Sequence, residues 1–135
     1  MSTTRPSGRI QPVVAFGADL AVVAVFVLVG RRTHHEDAGL GGFVRVVWPF
    51  AAGLLAGWLA ARLWRAPLDR RRVAVTWVLT VAVGALLRVV AQGRTAEPTF
   101  LLVASVFLGA CLFGWRALAG RLLTGTARRT SARAG

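Results

Sequence analysis

Residues 13–30 read VVAFGADLAVVAVFVLVG, and this stretch sets the class of fold. A run of roughly 18 or more residues with few charges is typical of a transmembrane helix. Its many valines favour a strand in a soluble protein, but a strand in hydrocarbon leaves backbone groups unpaired unless a barrel closes. The run is too uniformly apolar for the alternating pattern of a barrel strand. We therefore predict a helix over residues 13–30.

Three more runs of this kind follow along the chain, at residues 44–64, 73–91 and 99–118. The chain has 135 residues, of which 56% are hydrophobic before its 15 glycines are counted. With glycine included, the apolar share is far above the roughly 45–50% of an ordinary soluble domain. The sequence therefore predicts an all-α, polytopic membrane protein, with four transmembrane helices in a bundle over residues 13–118.

The two flanking segments, residues 1–12 and 119–135, are polar and basic. The first resembles the start of a signal peptide. However, the apolar run after it contains Asp19, exceeds the usual length, and ends in Gly30-Arg31-Arg32 without a small-x-small cleavage site. We predict an uncleaved cytoplasmic segment over residues 1–12. We predict a disordered, basic cytoplasmic tail over residues 119–135, because its composition is small, polar and basic.

The net charge is +12, and all 17 basic residues are arginines. These arginines flank the apolar runs and are not interleaved with stacking aromatic residues, so they indicate membrane orientation rather than nucleic-acid binding. With the N-terminus inside, 12 arginines lie on the inner side and 4 on the outer side. The positive-inside rule then predicts a bacterial cell-membrane protein with both termini in the cytoplasm.

Asp19 and Arg88 are the ionisable residues well inside the predicted spans. At 1.5 Å per residue, Asp19 lies about 9 Å from the inner end of its span and Arg88 about 5 Å from the outer end. Because this difference in depth separates them, we do not expect them to pair. A carboxylate in hydrocarbon must find partners or take up a proton. We predict a buried cluster of Asp19, Thr80 and Arg116, because Thr80 lies at a similar depth and Arg116, about 3 Å from the inner end of its span, can reach upward with its long side chain.

Arg88 is close enough to the outer surface for its side chain to reach the headgroups. Alternatively, it pairs with a polar group at the outer side, for which the sequence offers Asp37, Glu97 and Ser105.

Polar and small residues recur every four positions in the third span, at Thr76, Thr80, Gly84, Arg88 and Gln92. Such a ridge either faces the other helices or lines a water-filled path, and we favour the first interpretation. In the second span, Gly53, Gly57 and Ala61 form a ridge that allows close helix packing, within one chain or between two copies. Trp64 and Trp115 suit the belt of aromatic residues at a membrane interface.

Residues 33–37 read THHED and offer several potential metal ligands in a row. One short loop rarely closes a metal site, because adjacent side chains point apart, so we predict a solvated loop and no metal or other cofactor. The single cysteine, Cys111, lies in an apolar run and suits a packing role. The sequence holds no nucleophile–base arrangement and no phosphate-binding or dinucleotide-binding loop, so we predict that the protein is not an enzyme.

An ordered set of motifs resembles a known family. It comprises Asp19, Gly30-Arg31-Arg32-x-His34, Trp48-Pro49-Phe50, Trp77 with Thr80, Gly84-x-x-x-Arg88, Gly93, Thr95 and Gly114-Trp115-Arg116. In this order they resemble the bacterial domain-of-unknown-function family 3054, small four-helix membrane proteins frequent in actinobacteria. The resemblance covers about residues 17–117 and implies membership but no mechanism. The candidate polar site residues, in the membrane or at its interface, are Asp19, Arg31, Arg32, His34, Thr80, Arg88 and Arg116.

Two functions remain open on the sequence. The first is a structural or accessory subunit whose partners are the lipid bilayer and a membrane protein or a second copy. The second is a small proton-coupled transporter that uses Asp19, although the bias in arginine placement opposes the balanced orientation of an antiparallel exporter dimer.

Overall fold

The computed structural model describes residues 9–34 and 39–133, and within those ranges it is helical with no strand. The four helices are α1 (Pro12–His34), α2 (Leu40–Ala61), α3 (Arg70–Gln92) and α4 (Pro98–Arg133), and a short 3-10 turn covers Leu63–Arg65. Each of the four helices is long and apolar enough to cross a membrane. Around the bundle, each helix packs against its two neighbours in the order α1, α2, α3, α4. The predicted all-α bundle of four spans is confirmed.

The helix bounds differ from the prediction mainly at the C-terminus. The composition of residues 119–135 predicts disorder, but α4 continues as a helix to Arg133. Alanine, leucine and arginine are strong helix formers. The hydroxyls of Thr124 and Thr126 also donate back to the carbonyls of Gly120 and Leu122, so they are satisfied within the helix. The polar composition of this segment therefore reflects an extension of α4 rather than the lack of regular structure.

The predicted ridge of small residues brings α2 and α3 together within one chain. A Cβ atom built on Gly53 would lie 2.7 Å from the carbonyl oxygen of Thr80, and one on Gly57 would lie 2.7 Å from the Cα of Thr76. Such distances allow only glycine, since backbone atoms cannot yield as a side chain can. Both threonines are buried at this contact. Their part of the third-span ridge faces α2, as the sequence favours.

Pro49 lies inside α2, and a side chain of α3 replaces the hydrogen bond that this proline cannot make. Proline has no backbone N–H, so the carbonyl four residues earlier, that of Arg45, loses its helical partner. The side-chain amide of Gln92 donates a hydrogen bond to this carbonyl. The predicted ridge of α3 thus ends in a residue that compensates for the proline of α2.

The α2–α3 connection, residues 62–69, is ordered by backbone and arginine contacts. Arg62 adopts a left-handed conformation (φ 49°) and ends α2. The Arg72 side chain donates to the carbonyls of Ala61 and Arg62, both at 2.9 Å. At the start of α3, the side chain of Asp69 is the N-cap and accepts hydrogen bonds from the backbone N–H groups of Arg71 and Arg72. We call this end of the bundle the ion-pair end, and the end with the α1–α2 and α3–α4 connections the cavity end.

Candidate functional site

The site is centred on Asp19, the carboxylate of α1. Its side chain is completely buried, with 0% of its surface exposed. Asp19 lies seven residues after Pro12, where α1 begins, which at 1.5 Å per residue is about 10 Å along the helix. Burial of an isolated charge at this depth is costly, so the neighbouring groups determine whether the carboxylate is tolerated.

Arg116 of α4 forms a two-pronged ion pair with Asp19. Its Nη1 donates to Oδ1 and its Nη2 donates to Oδ2, both at 2.7 Å. The arginine is itself 6% exposed, so both charges are removed from the surface. This parallel arrangement is the strongest geometry for a guanidinium and a carboxylate, since it adds direction to the charge attraction. The predicted Asp19–Arg116 contact is confirmed.

Two tryptophans complete the shell of the carboxylate. The indole Nε1 of Trp58, in α2, donates to Oδ2 at 2.9 Å, and that of Trp115, in α4, donates to Oδ1 at 2.9 Å. Each carboxylate oxygen therefore accepts one hydrogen bond from the guanidinium and one from an indole. The indoles bring donors together with large apolar surfaces, which shield the ion pair.

Arg116 also holds the ion-pair end together through backbone groups. Its Nε donates to the carbonyl of Pro67 at 2.7 Å, and Nη1 donates to the carbonyl of Leu112 at 3.1 Å. The guanidinium carbon lies 4.4 Å from the centre of the Trp115 ring. One side chain thus joins α1, α4 and the α2–α3 connection.

The resulting cluster is electrically neutral and fully satisfied. Among the side chains that the structure describes, no buried nitrogen or oxygen lacks a hydrogen-bond partner. A pair of buried charges is stable only when geometry and extra hydrogen bonds offset the loss of water, and both conditions hold at Asp19. The arrangement is suited to clamping helices. Exposing the carboxylate to solvent would require breaking four hydrogen bonds.

The prediction of Thr80 as the third member of the cluster is wrong. Thr80 is buried on α3, but its hydroxyl donates to the carbonyl of Thr76 at 2.7 Å. Its depth along the helix suits the cluster, but its rotation about the helix axis does not, because it faces the glycines of α2. Its own backbone satisfies it, since a threonine in a helix can bond the carbonyl four residues earlier.

The other predicted site residues lie at the cavity end. Arg88 is half-buried on α3, with its guanidinium carbon 4.4 Å from the centre of the Phe100 ring. Arg31, near the end of α1, donates to the carbonyl of Gly39 at 3.1 Å. Arg32 is exposed, and His34 ends α1. The structure therefore separates these residues from Asp19, and the polar partners suggested for Arg88 stay predictions.

Three contributors to the site are absent from the cluster that the sequence predicts: Trp58, Trp115 and the carbonyl of Pro67. The sequence suggests an interfacial belt for Trp115, but its N–H points to Asp19. A usable signal was present, since a tryptophan in a membrane span needs a partner for its N–H. No sequence signal marks the Pro67 carbonyl, which reaches Arg116 only through the folded α2–α3 connection.

The expected absence of a metal stays a prediction. Among the described residues, no group of three metal-ligating side chains comes together. Most of the THHED loop, including His35, Glu36 and Asp37, lies outside the described residues.

Comparison with known proteins gives one match. A family model described as "Protein of unknown function (DUF3054)" matches residues 16–119, which is more than three quarters of the chain. This confirms the resemblance drawn from the ordered motifs. No curated protein and no solved structure matches the chain.

Proposed function

The chain belongs to the DUF3054 family of proteins of unknown function, and we propose that it is a small structural or accessory subunit of the bacterial cell membrane. The observation that carries the proposal is the Asp19–Arg116 ion pair with its two indole donors. In this role the pair fixes the relative positions of α1 and α4, and the apolar outer faces of the bundle contact lipid and a protein partner.

The burial and hydrogen bonding of Asp19 support a structural role over proton transport. A carboxylate that carries protons must alternate between a protonated and an ionised form that reaches water. Asp19 is completely buried, and each of its two carboxylate oxygens already accepts two hydrogen bonds. For this carboxylate to reach water, all four of these hydrogen bonds must break.

The orientation belongs to the proposal as well. The placement of 12 arginines on the N-terminal side of the membrane against 4 on the other supports cytoplasmic N- and C-termini. The absence of lysine and the abundance of alanine and valine support a GC-rich source, consistent with the proposed actinobacterial origin. Fusion of alkaline phosphatase, active only outside, and of a fluorescent protein, active only inside, to residue 135 tests the topology. We expect fluorescence, and phosphatase activity at that site would contradict the proposed topology.

The partners follow from the outer surface of the bundle. Apolar side chains on α1, including Val25, Leu28 and Val29, are about half exposed. In a bilayer such surfaces contact lipid, and a second membrane helix can replace the lipid. We propose a membrane protein or a second copy as that partner, no nucleic acid and no catalytic reaction.

Flux measurements separate the structural role from the transporter alternative. The purified protein is reconstituted into liposomes loaded with ethidium, and a proton gradient is applied. We expect the same ethidium efflux from wild-type, Asp19→Asn and empty liposomes. Efflux that is present in the wild type and absent in Asp19→Asn would overturn the proposal in favour of proton-coupled transport.

A stability cycle tests the clamp directly. The variants Asp19→Asn, Arg116→Gln and the double variant are unfolded reversibly in mixed micelles. We expect a coupling free energy of about 2 kcal/mol, within the range for residues in direct contact. Strictly additive losses would contradict the clamp and return Asp19 to the candidates for proton transfer.

A further inference from the structure

The ion-pair end carries more positive charge than its own carboxylates can neutralise. Of the chain's five acidic residues, three belong to the α1–α2 and α3–α4 connections at the opposite end. The two that remain are already engaged, since Asp19 pairs with Arg116, and Asp69 caps α3 and lies 4.0 Å from Arg72. Four further arginines at this end are exposed and form no ion pair among the described residues, and we call them the basic rim: Arg65, Arg70, Arg71 and Arg121.

The arginines of the cavity end are in a different situation. Arg31, Arg88 and Arg94 line a cavity of about 520 Å³, and each of them has further interactions within the protein. The excess of charge that is available to a ligand therefore lies at the basic rim.

The basic rim lies where the exposed apolar surface of the bundle ends. On α4, Leu118 is 61% exposed and comes three residues before Arg121. On α3, Val75 is 46% exposed and comes four residues after Arg71. Residues three or four apart share one face of a helix, at a rise of about 5–6 Å. These cations therefore lie directly beside the surface that faces hydrocarbon, which is the level of the lipid headgroups.

The α2–α3 connection holds its part of the rim in a fixed place. Arg65 lies in the chain between Arg62, whose carbonyl accepts from Arg72 at 2.9 Å, and Pro67, whose carbonyl accepts from Arg116 at 2.7 Å. Because the connection is anchored on both sides of Arg65, little backbone freedom is lost when a ligand binds there.

Two members of the rim oppose the dipole of their own helix. Arg70 and Arg71 are the first residues of α3, where the partial positive charge of the helix N-terminus disfavours cations. The single nearby carboxylate, Asp69, offsets only part of this repulsion. A bound anion would relieve the rest.

We propose that the basic rim binds the headgroups of anionic phospholipids. Guanidinium groups match phosphate oxygens in both charge and geometry, and the acyl chains of such a lipid lie along the exposed surface that includes Val75 and Leu118. Such binding is distinct from the positive-inside rule, which concerns insertion of the chain rather than the lipid around the finished bundle. It does not depend on the role of Asp19.

The far part of α4 provides an internal comparison. Arg133 is exposed and lies 12 residues after Arg121, which is about 18 Å along the helix. That is more than twice the Debye length of about 8 Å at physiological ionic strength. Lipid phosphates at the rim therefore attract Arg133 only weakly, whereas a soluble acidic partner would contact this part of α4 as readily as the rim.

Binding is measured by native mass spectrometry of the detergent-purified full chain with four probes. These are 1-palmitoyl-2-oleoyl phosphatidylglycerol, the phosphatidylcholine with the same chains, inorganic phosphate and poly-L-glutamate. We expect phosphatidylglycerol to bind at least about fivefold more tightly than phosphatidylcholine, which corresponds to one cation near an anionic membrane surface. Equal binding of the two phospholipids would overturn the proposal. Binding of inorganic phosphate or poly-L-glutamate as tightly as phosphatidylglycerol would do the same, in favour of a free anion or a soluble acidic partner.

Variants locate the site. Arg65→Gln and Arg121→Gln each remove one cation of the rim, and we expect each to weaken phosphatidylglycerol binding about fivefold. The matched controls are Arg32→Gln at the cavity end and Arg133→Gln at the far end of α4, both at exposed positions, and we expect wild-type affinity in both. If a rim variant fails to fold, Arg71→Gln replaces it. Wild-type affinity in either rim variant, or an equal loss in either control, would overturn the site.

Discussion

The two ends of the bundle use arginine in opposite ways. At the ion-pair end, Arg116 is buried and its hydrogen bonds go to one carboxylate and two backbone carbonyls. At the cavity end, Arg88 is half-buried, lies against the ring of Phe100 and lines a cavity. The surroundings, rather than the residue type, therefore decide whether an arginine is enclosed between helices or lies in the wall of a cavity.

The largest effect is expected from removing the cation of the ion-pair end. Arg116→Gln leaves the carboxylate of Asp19 buried without a counter-ion, and we expect the free energy of unfolding to fall by about 3–5 kcal/mol. Reversible unfolding in mixed micelles measures this loss. The control Arg121→Gln lies on an exposed position of the same helix and should change the value by about 0.5 kcal/mol or less. Equal losses in the two variants would show that burial of the ion pair contributes nothing.

The next largest effect concerns the indole donors. Trp58→Phe keeps an aromatic ring but removes the N–H that donates to Oδ2 of Asp19. Because a hydrogen bond to a charged group is lost in a buried place, we expect a destabilisation of about 1.5–3 kcal/mol. Trp64→Phe is the control, since Trp64 lies just beyond α2 and is 41% exposed. The same unfolding measurement decides, and a loss no larger than that of the control would contradict the role of the indole.

Two glycines, Gly57 and Gly84, provide a test in which a smaller effect on stability is expected. A methyl group on Gly57 would meet the backbone of Thr76, whereas one on Gly84 would meet the ring of Phe50. We expect Gly57→Ala to cost about 1–2 kcal/mol, since overpacking outweighs the gain in helix propensity. Gly84→Ala should cost less than Gly57→Ala, because a ring can turn and a backbone cannot.

The control for both glycine substitutions is Gly17→Ala, where the added methyl group would have no neighbour within 4 Å. Thermal unfolding of the three variants gives the order of their effects. A larger loss at Gly84 than at Gly57 would show that the cavity end is the more rigid of the two.

The smallest expected effect is on the contact between Arg88 and Phe100. A cation against an aromatic ring at a partly exposed site is worth about 0.5–1 kcal/mol. A double-mutant cycle of Arg88→Gln with Phe100→Leu isolates this contact from the other interactions of Arg88. We expect a coupling free energy smaller than that of Asp19 with Arg116, measured by the same unfolding experiment. Similar coupling free energies would remove the distinction between the two ends.

In this fold, the sequence predicts how deep a residue lies in its span better than it predicts which neighbours its side chain faces. The rise per residue, together with the reach of an arginine side chain, is enough to predict the contact of Asp19 with Arg116. The rotation of each helix about its own axis, which decides what a side chain faces, depends on packing between helices. For this reason depth alone points to Thr80 and not to Trp58. The close approach at Gly57 could be predicted, because small residues four apart leave few alternatives. The helical end of α4 could not, since a polar basic segment suits both a helix and a disordered tail.

Asp19 and its arginine are separated by 97 positions along the chain. During synthesis the first helix is therefore made long before the residue that neutralises it. An aspartate inside an inserting helix opposes insertion by up to roughly 2.5–3.5 kcal/mol, and the many apolar residues of this helix work against that penalty. The ion pair can therefore form only after the fourth helix has been made, whereas contacts among the first three helices do not have to wait for it.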